Sequence, residues 1–280
     1  MVWRSLRASG ATRLGETFVR YLKSFLFLGI ILSILACSEK PSPNTLIVGT
    51  MTGPESDVIT VAQTIAQSRY GLTIKIIEFS DYNLPNAALQ DGTLDVNIFQ
   101  HGPYLDDANK AHHYSLEAIG KTFLYPMAIY SNKITALKDL HDGAIIAIPN
   151  DPSNEARALL LLQNAKLIHL KKNGGSTLFD IRSNPNHYQF RELDAAQLPR
   201  VLPDVDLAVI NTNFAIPAGL HPNHNALFVE NKNSPYANLI VIRKDSTKKA
   251  QINQFVEAIH SPEVTTKAKE LFSDAAIPAW

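Results

Sequence analysis

Residues 46–79 limit what this chain can fold into more than any other stretch. LIVG (46–49) is a short apolar run rich in branched residues, closed by a Thr/Gly/Pro turn at 50–54. Val58, Val61, Ala62, Ile65 and Ala66 then recur at the spacing of one helix face. Gly71 stands where a helix ends in a left-handed residue, and residues 72–79 read as a second strand. Strand, helix and strand in so short a span make a βαβ unit, with parallel strands and a right-handed crossover. The theme recurs: strands are expected at 94–99, 123–130, 144–149, 188–192, 205–210 and 239–242, with helical patterns between most of them. The fold class expected is therefore α/β, with mostly parallel sheets covered on both faces. After the strand at 239–242 come two helical stretches, 247–260 and 263–273, split by Ser261 and Pro262. A closing strand and helices that return to an earlier part of the chain suit two lobes joined by a hinge.

The amino terminus reads as an address. Arg4, Arg7, Arg13, Arg20 and Lys23 precede an almost wholly apolar run at 24–36, which ends at Cys37. A basic start, a short apolar core and a small residue before the cut describe a secretory signal. The run falls short of the roughly 20 residues that a spanning helix needs; an uncleaved signal anchor is the alternative. The sole cysteine of the chain stands in ILAC (34–37), which resembles a bacterial lipobox, with Ile34 where leucine is expected. The expectation is a signal peptide at 1–36, lipidation of Cys37 and a polar, proline-rich tether at 37–44. That attaches the protein to a membrane of the bacterial cell envelope, facing the periplasm or exterior, through acyl chains that bury about 0.8 kcal/mol per methylene. A single cysteine excludes an intramolecular disulfide framework and a multi-thiolate metal site. With Lys+Arg 26 against Asp+Glu 26, no basic excess exists to recruit nucleic acid.

No nucleophile elbow, phosphate loop or zinc-protease helix occurs in the sequence, and no enzymatic activity is expected. Among nine histidines, His221 with His224 and the pair His112–His113 imitate metal spacing. The first reads as a polar turn and the second as an exposed helix end, so neither a metal nor a cofactor is expected. Asp91, Asp95, Asp106 and Asp107 read as caps and solvated faces. A recognition site fits the remaining polar residues better. Asp151 is a natural N-cap and Pro152 suits the first helical position, after an apolar strand. Asn154 and Arg157, three apart, then share a face near the positive end of that helix. An arginine fork there matches the two oxygens of a carboxylate; a surface arginine paired with Glu155 is the alternative. Tyr82, Phe99, His101 and Tyr104 follow predicted strands and could line a wall for an apolar or sulfur-containing side chain.

Seven segments, taken in order, resemble the methionine-binding lipoproteins of ABC importers (the MetQ/NlpA type). They are DYNLPNAAL (81–89), DVNIFQHGPYL (95–105), TFLYP (122–126), IPNDPSNEAR (148–157), QLPR (197–200), AVINT (208–212) and SPYANLI (234–240). The resemblance implies a two-lobed, type II periplasmic-binding-protein-like fold, with lobe I at 45–125 plus 241–280 and lobe II at 126–240. It implies that an amino acid, L-methionine, is held between the lobes and passed to ABC permease and ATPase subunits. By the same resemblance Arg157 clamps the ligand carboxylate, and Asn154, Asn211 and Asn238 fix the carboxylate and ammonium. Tyr82, Phe99, His101 and Tyr104 would surround the thioether, with hinges near 122–126 and 238–242. Gly102 stands where the family often carries lysine, and Ala156 where it often carries glycine. The rival readings are the same importer role for D-methionine, a methionine dipeptide or another apolar amino acid, an enzyme on the same scaffold, and a surface antigen or adhesin without transport.

Overall fold

The structure of the protein, a computed structural model, describes residues 44–172, 177–273 and 275–280. The expected signal peptide, Cys37 and nearly all of the tether lie outside the described residues. The chain opens with β1 (Thr45–Met51), α1 (Pro54–Tyr70) and β2 (Thr73–Phe79), and β1 pairs with β2 in parallel along its whole length. Pro54 occupies the first turn of α1, where a missing N–H costs nothing, and Gly71 ends the helix in the left-handed region at φ 61°. Next come α2 (Pro85–Gln90), β3 (Val96–Ile98), α3 (Gly102–His112) and β4 (Leu116–Leu124). A second set follows: β5 (Ala128–Tyr130), β6 (Ile145–Pro149), α4 (Pro152–Asn164), β7 (His169–Leu170), β8 (Ile181–Ser183) and β9 (Gln189–Leu193). It continues with α5 (Leu198–Val201), β10 (Leu207–Ile210), α6 (Thr212–Ala215) and β11 (Phe228–Val229). The chain closes with β12 (Ala237–Arg243), α7 (Lys249–Ile259), α8 (Pro262–Leu271) and β13 (Ile277–Pro278).

Two large sheets result, in the orders β13-β4-β12-β3-β1-β2 and β11-β5-β10-β6-β9, beside a small β7-β8 pair. We call the six-stranded sheet with its helices the first lobe and the five-stranded one the second. The α/β, two-lobed expectation holds, but the sheets are mixed rather than mostly parallel. Only β2-β1-β3 and β10-β6-β9 run parallel, while β12 is antiparallel to β3 and β4, and β5 is antiparallel to β10 and β11. The reason is directional. The parallel strands end at the gap between the lobes, whereas β5 and β12 each begin there, arriving from the other lobe.

The crossings themselves correct two expectations. The strand expected at 123–130 is two strands, because the chain leaves β4 after Leu124, passes through residues 125–127 and enters β5 of the other sheet. The return crossing is residues 230–236, since β12 pairs wholly within the first lobe from Ala237 onward. The boundary expected at 240/241, and the hinge expected at 238–242, thus fall inside a strand.

Each lobe has its own core. Val58, Ile59 and Ala62 of α1 pack with Leu46 and Val48 of β1 and with Ile252, Phe255 and Phe272 from the chain's end. Leu89, Leu94, Leu105 and Val241 fill the other face of the same sheet. In the second lobe, Ile146, Ile148, Leu159, Leu162 and Val209 lie on one face, with Ala147, Leu198, Leu202 and Ile210 on the other. Covering both faces explains why β10 and most of β12 are buried without alternation. Asp95 departs from its reading as a cap or solvated residue. It is buried and takes the Lys248 ammonium at 2.7 Å and the Ile47 amide at 2.9 Å, tying the start of β1 to the loop before α7.

Candidate functional site

The carboxyl ends of β3, β6 and β10 face the same gap, the place where open α/β sheets gather ligand-binding residues. Every candidate side chain named from the sequence lines one cavity there: Tyr82, Phe99, His101, Tyr104, Asn154, Arg157, Asn211 and Asn238, together with Gln100, Tyr125, Thr212 and Asn213. The cavity is narrow and closely lined by these side chains.

Arg157 sits in the second turn of α4, 4% exposed. Asp151 caps this helix, accepting the Asn154 amide at 3.0 Å, with Pro152 following, as the sequence suggested. The partner of Arg157 is Glu230, not Glu155. Nε donates to Glu230 Oε1 at 2.9 Å, and Nη2 donates to Glu230 Oε2 and to the Tyr125 carbonyl at 3.0 Å. The guanidinium carbon also lies 4.6 Å from the Tyr236 ring centroid. The two-oxygen fork is therefore filled by an internal carboxylate, and Nη1 is the nitrogen from which no described residue accepts. Glu230 also accepts the Met127 amide at 3.1 Å and the Ser234 hydroxyl at 3.0 Å. One carboxylate thus joins the arginine to both crossings. Glu155 instead receives the Leu178 amide at 2.9 Å.

Asn154 is fully engaged. Its Nδ2 donates to both Asp151 oxygens (2.9 and 3.0 Å), and its Oδ1 accepts from Asn211 Nδ2 at 2.8 Å and faces His101 Nε2 at 3.3 Å. His101 caps α3, its Nδ1 accepting from the Tyr104 amide at 3.3 Å. That assigns the proton to Nε2, which points at Asn154. Burial first, and then the Arg157 charge, bring the His101 pKa down to about 3, so the ring is neutral. Asn211 has spent its Nδ2 on Asn154, and its buried Oδ1 receives no hydrogen bond from any described residue. An acceptor in that position costs about 1–3 kcal/mol until something donates to it.

The apolar side of the cavity is a ring cluster. Tyr82 lies 5.9 Å from Phe99 and 6.0 Å from Tyr104, and Phe99 lies 5.6 Å from Tyr104, centroid to centroid. Phe214 of the second lobe meets Tyr82 at 4.7 Å, so aromatic contact joins the two lobes beside the cavity. Behind the polar side lies Glu55, 2% exposed in the first turn of α1. Its Oε1 accepts from Asn238 Nδ2 at 3.0 Å and its Oε2 from Asn213 Nδ2 at 2.8 Å. Burial pushes its carboxyl up to about 8 against the pull of those amides.

Residues 46–280 match the family described as NlpA lipoprotein. The chain belongs to that family. Among its relatives, the D-methionine-binding lipoprotein MetQ of Escherichia coli O157:H7 is 45% identical over 266 residues, 92% of this chain and 98% of that one. A structure of an ABC transporter periplasmic substrate-binding protein from Coxiella burnetii is 56% identical, with a TM-score of 0.81 over 84% of this chain and all (100%) of that one. A nutrient-binding protein from Burkholderia cenocepacia, solved bound to methionine, is 47% identical, with a TM-score of 0.82 and coverage of 84% and 100%.

Sequence reasoning missed Glu55, Gln100, Tyr125, Thr212, Asn213, Phe214 and Glu230. Asn213 had a signal, standing two residues past Asn211 at the same strand end, and Tyr125 sits inside the TFLYP segment. Glu55 reads as an ordinary acid in a helix's first turn. Glu230 has no local signal, because its partner lies 73 residues away. His112 and His113 end α3 exposed, and His221–His224 form a turn in which the His224 amide donates to the His221 carbonyl at 3.1 Å. Among the described residues, no three His, Cys, Asp or Glu side chains gather as a metal site, and no helix is long and apolar enough to cross a membrane.

Proposed function

We propose that this chain is a lipid-anchored solute-binding protein that captures L-methionine between its lobes and delivers it to an ABC permease powered by ATPase subunits. The observation that carries the reading is one buried cavity holding a cationic donor, Arg157 Nη1, and an unpartnered acceptor, Asn211 Oδ1, beside an aromatic wall. A zwitterion with an apolar arm is complementary to all three. Its carboxylate reaches Nη1, its ammonium donates to Asn211 with Asn238 alongside, and its thioether lies against Tyr82, Phe99, His101 and Tyr104. Asn154, whose polar atoms are all taken, acts by holding Asn211 and His101. The names of the Escherichia coli and Burkholderia cenocepacia relatives support methionine, and that of the Coxiella burnetii protein supports the ABC transporter. The ILAC segment and membership of a lipoprotein family support the anchor at Cys37.

No bond chemistry is required. Ligand bridging the lobes favours the closed arrangement only to the extent that it binds that arrangement better, and the permease reads the shift. The 45% identical relative named for D-methionine favours a second reading in which that enantiomer is the cargo. Calorimetry on protein unfolded, dialysed and refolded, with L-methionine, D-methionine, a methionine dipeptide and leucine, tests both. The expected order puts L-methionine first; D-methionine first installs the alternative, and no binding of any amino acid ends the transport reading.

A further inference from the structure

Glu55 is buried, and no described cation forms an ion pair with it. Its neighbours are mostly apolar (Val58 and Ile59 of α1, Ile98 of β3, Ile259 of α7), with Thr122 among them, and the titratable groups within electrostatic reach are the phenols of Tyr82 and Tyr125. A carboxyl in such surroundings is costly unless hydrogen bonds and a countercharge serve it. The hydrogen bonds exist. Asn238 in β12 of the first lobe and Asn213 in α6 of the second each donate Nδ2 to one of its oxygens, at 3.0 and 2.8 Å. Both amides also line the cavity. With Nδ2 committed to Glu55, each amide has its Oδ1 left over, and no described residue donates to either oxygen. Asn211 Oδ1, which unlike those two is fully buried, also receives no hydrogen bond from any described residue.

We propose that Glu55 is the positioning residue and remote countercharge of an ammonium subsite: it orients Asn213 and Asn238, one from each lobe, so that their Oδ1 atoms join Asn211 Oδ1 as acceptors for a primary ammonium. Three acceptors suit three N–H donors. Because the amides come from different lobes, the subsite is complete only when the lobes are together, so the ammonium stabilises closure through the same carboxylate. The proposal rests on the amino-acid reading above and deepens it by assigning the group that distinguishes an amino acid from its hydroxy-acid analogue. It also has a proton signature. Burial holds the carboxyl at about 8, so near pH 7 it carries a proton that an arriving ammonium displaces.

The test compares L-methionine with 2-hydroxy-4-(methylthio)butanoate, which keeps the carboxylate and thioether but lacks the ammonium, on the parent protein and on Glu55→Gln. Glutamine keeps the size, removes the charge and turns one of the two amides around. The preference for methionine over the hydroxy acid is expected to fall about 10- to 100-fold in the variant, the range for one charge-assisted interaction. Retained hydroxy-acid binding certifies the variant's fold. Calorimetry of the parent in two pH 7 buffers of different ionisation enthalpy is expected to register proton release with methionine and little with the hydroxy acid. Equal losses of both ligands in Glu55→Gln, an unchanged preference, or no proton release from the parent overturns the assignment while leaving the methionine reading in place. A parent protein that does not bind methionine overturns both.

Discussion

Replacing Glu230 with glutamine tests how the cavity is wired to the two crossings. The Arg157 and Glu230 side chains are 4% and 10% exposed, so the pair is almost dry. Glu230 serves Arg157 Nε, Arg157 Nη2, the Met127 amide and the Ser234 hydroxyl, and glutamine keeps one acceptor oxygen for these four donors. Breaking one side of a buried ion pair costs about 3–5 kcal/mol, because the surviving charge stays buried. The retained oxygen puts this case near the lower figure, about 3 kcal/mol. For a folded body of this size that lowers the melting temperature by roughly 6–12 °C, read by circular dichroism or calorimetry. The ligand response should move the opposite way. With its internal anion gone, the guanidinium waits for the carboxylate of an amino acid, so saturating methionine should raise the melting temperature of Glu230→Gln by more than it raises the parent's. In an Arg157→Ala background the same substitution should cost much less, since the two residues act as a unit. An unchanged melting temperature in the single variant, or equal methionine-induced shifts in variant and parent, would refute the claim that Glu230 and the ligand share one guanidinium.

Three further outcomes follow from the same geometry. If Arg157 holds the ligand carboxylate as proposed, Arg157→Ala should weaken methionine binding by about 2–5 kcal/mol by calorimetry, because among the described residues lining the cavity it is the one that carries a positive charge. Near-parental affinity would remove Arg157 from the site. Trimming Tyr82 and Phe99 together to alanine should weaken methionine far more than alanine as ligands; parallel losses would mean that the ring cluster does not hold the thioether. His101, held at about 3 against 6.5 in the unfolded chain, stays neutral while the unfolded state takes up a proton. Stability should therefore fall as pH drops from about 6.5 toward 3, and His101→Gln should flatten that limb in pH-dependent melts.

Much of the site was legible before the fold, because strand ends and helix starts announce themselves locally. The Asp151–Pro152 start of α4 places Asn154 and Arg157 on the face it presents to the gap, and the segments after β2 and β3 carry Tyr82, Phe99, His101 and Tyr104. These depend on capping and periodicity within a few residues, which the sequence specifies outright. The resemblance to a family supplied Asn211 and Asn238, whose surroundings carry no such local mark.

The amino-acid order by itself determined the α/β class, the first βαβ unit with its glycine stop and the polar start of α4. Each follows from side chains acting on their own backbone or on the next turn. Only the tertiary structure decided which polar atoms in the cavity are spoken for. It gave the arginine fork to Glu230, saturated Asn154, left Asn211 Oδ1 without a donor and set Glu55 across two amides from different lobes. It also reversed β5 and β12, because a strand that starts at the gap runs opposite to those that end there. Contacts between residues 73, 158 and 183 positions apart depend on where two lobes meet, and that meeting is fixed by packing far from any of them.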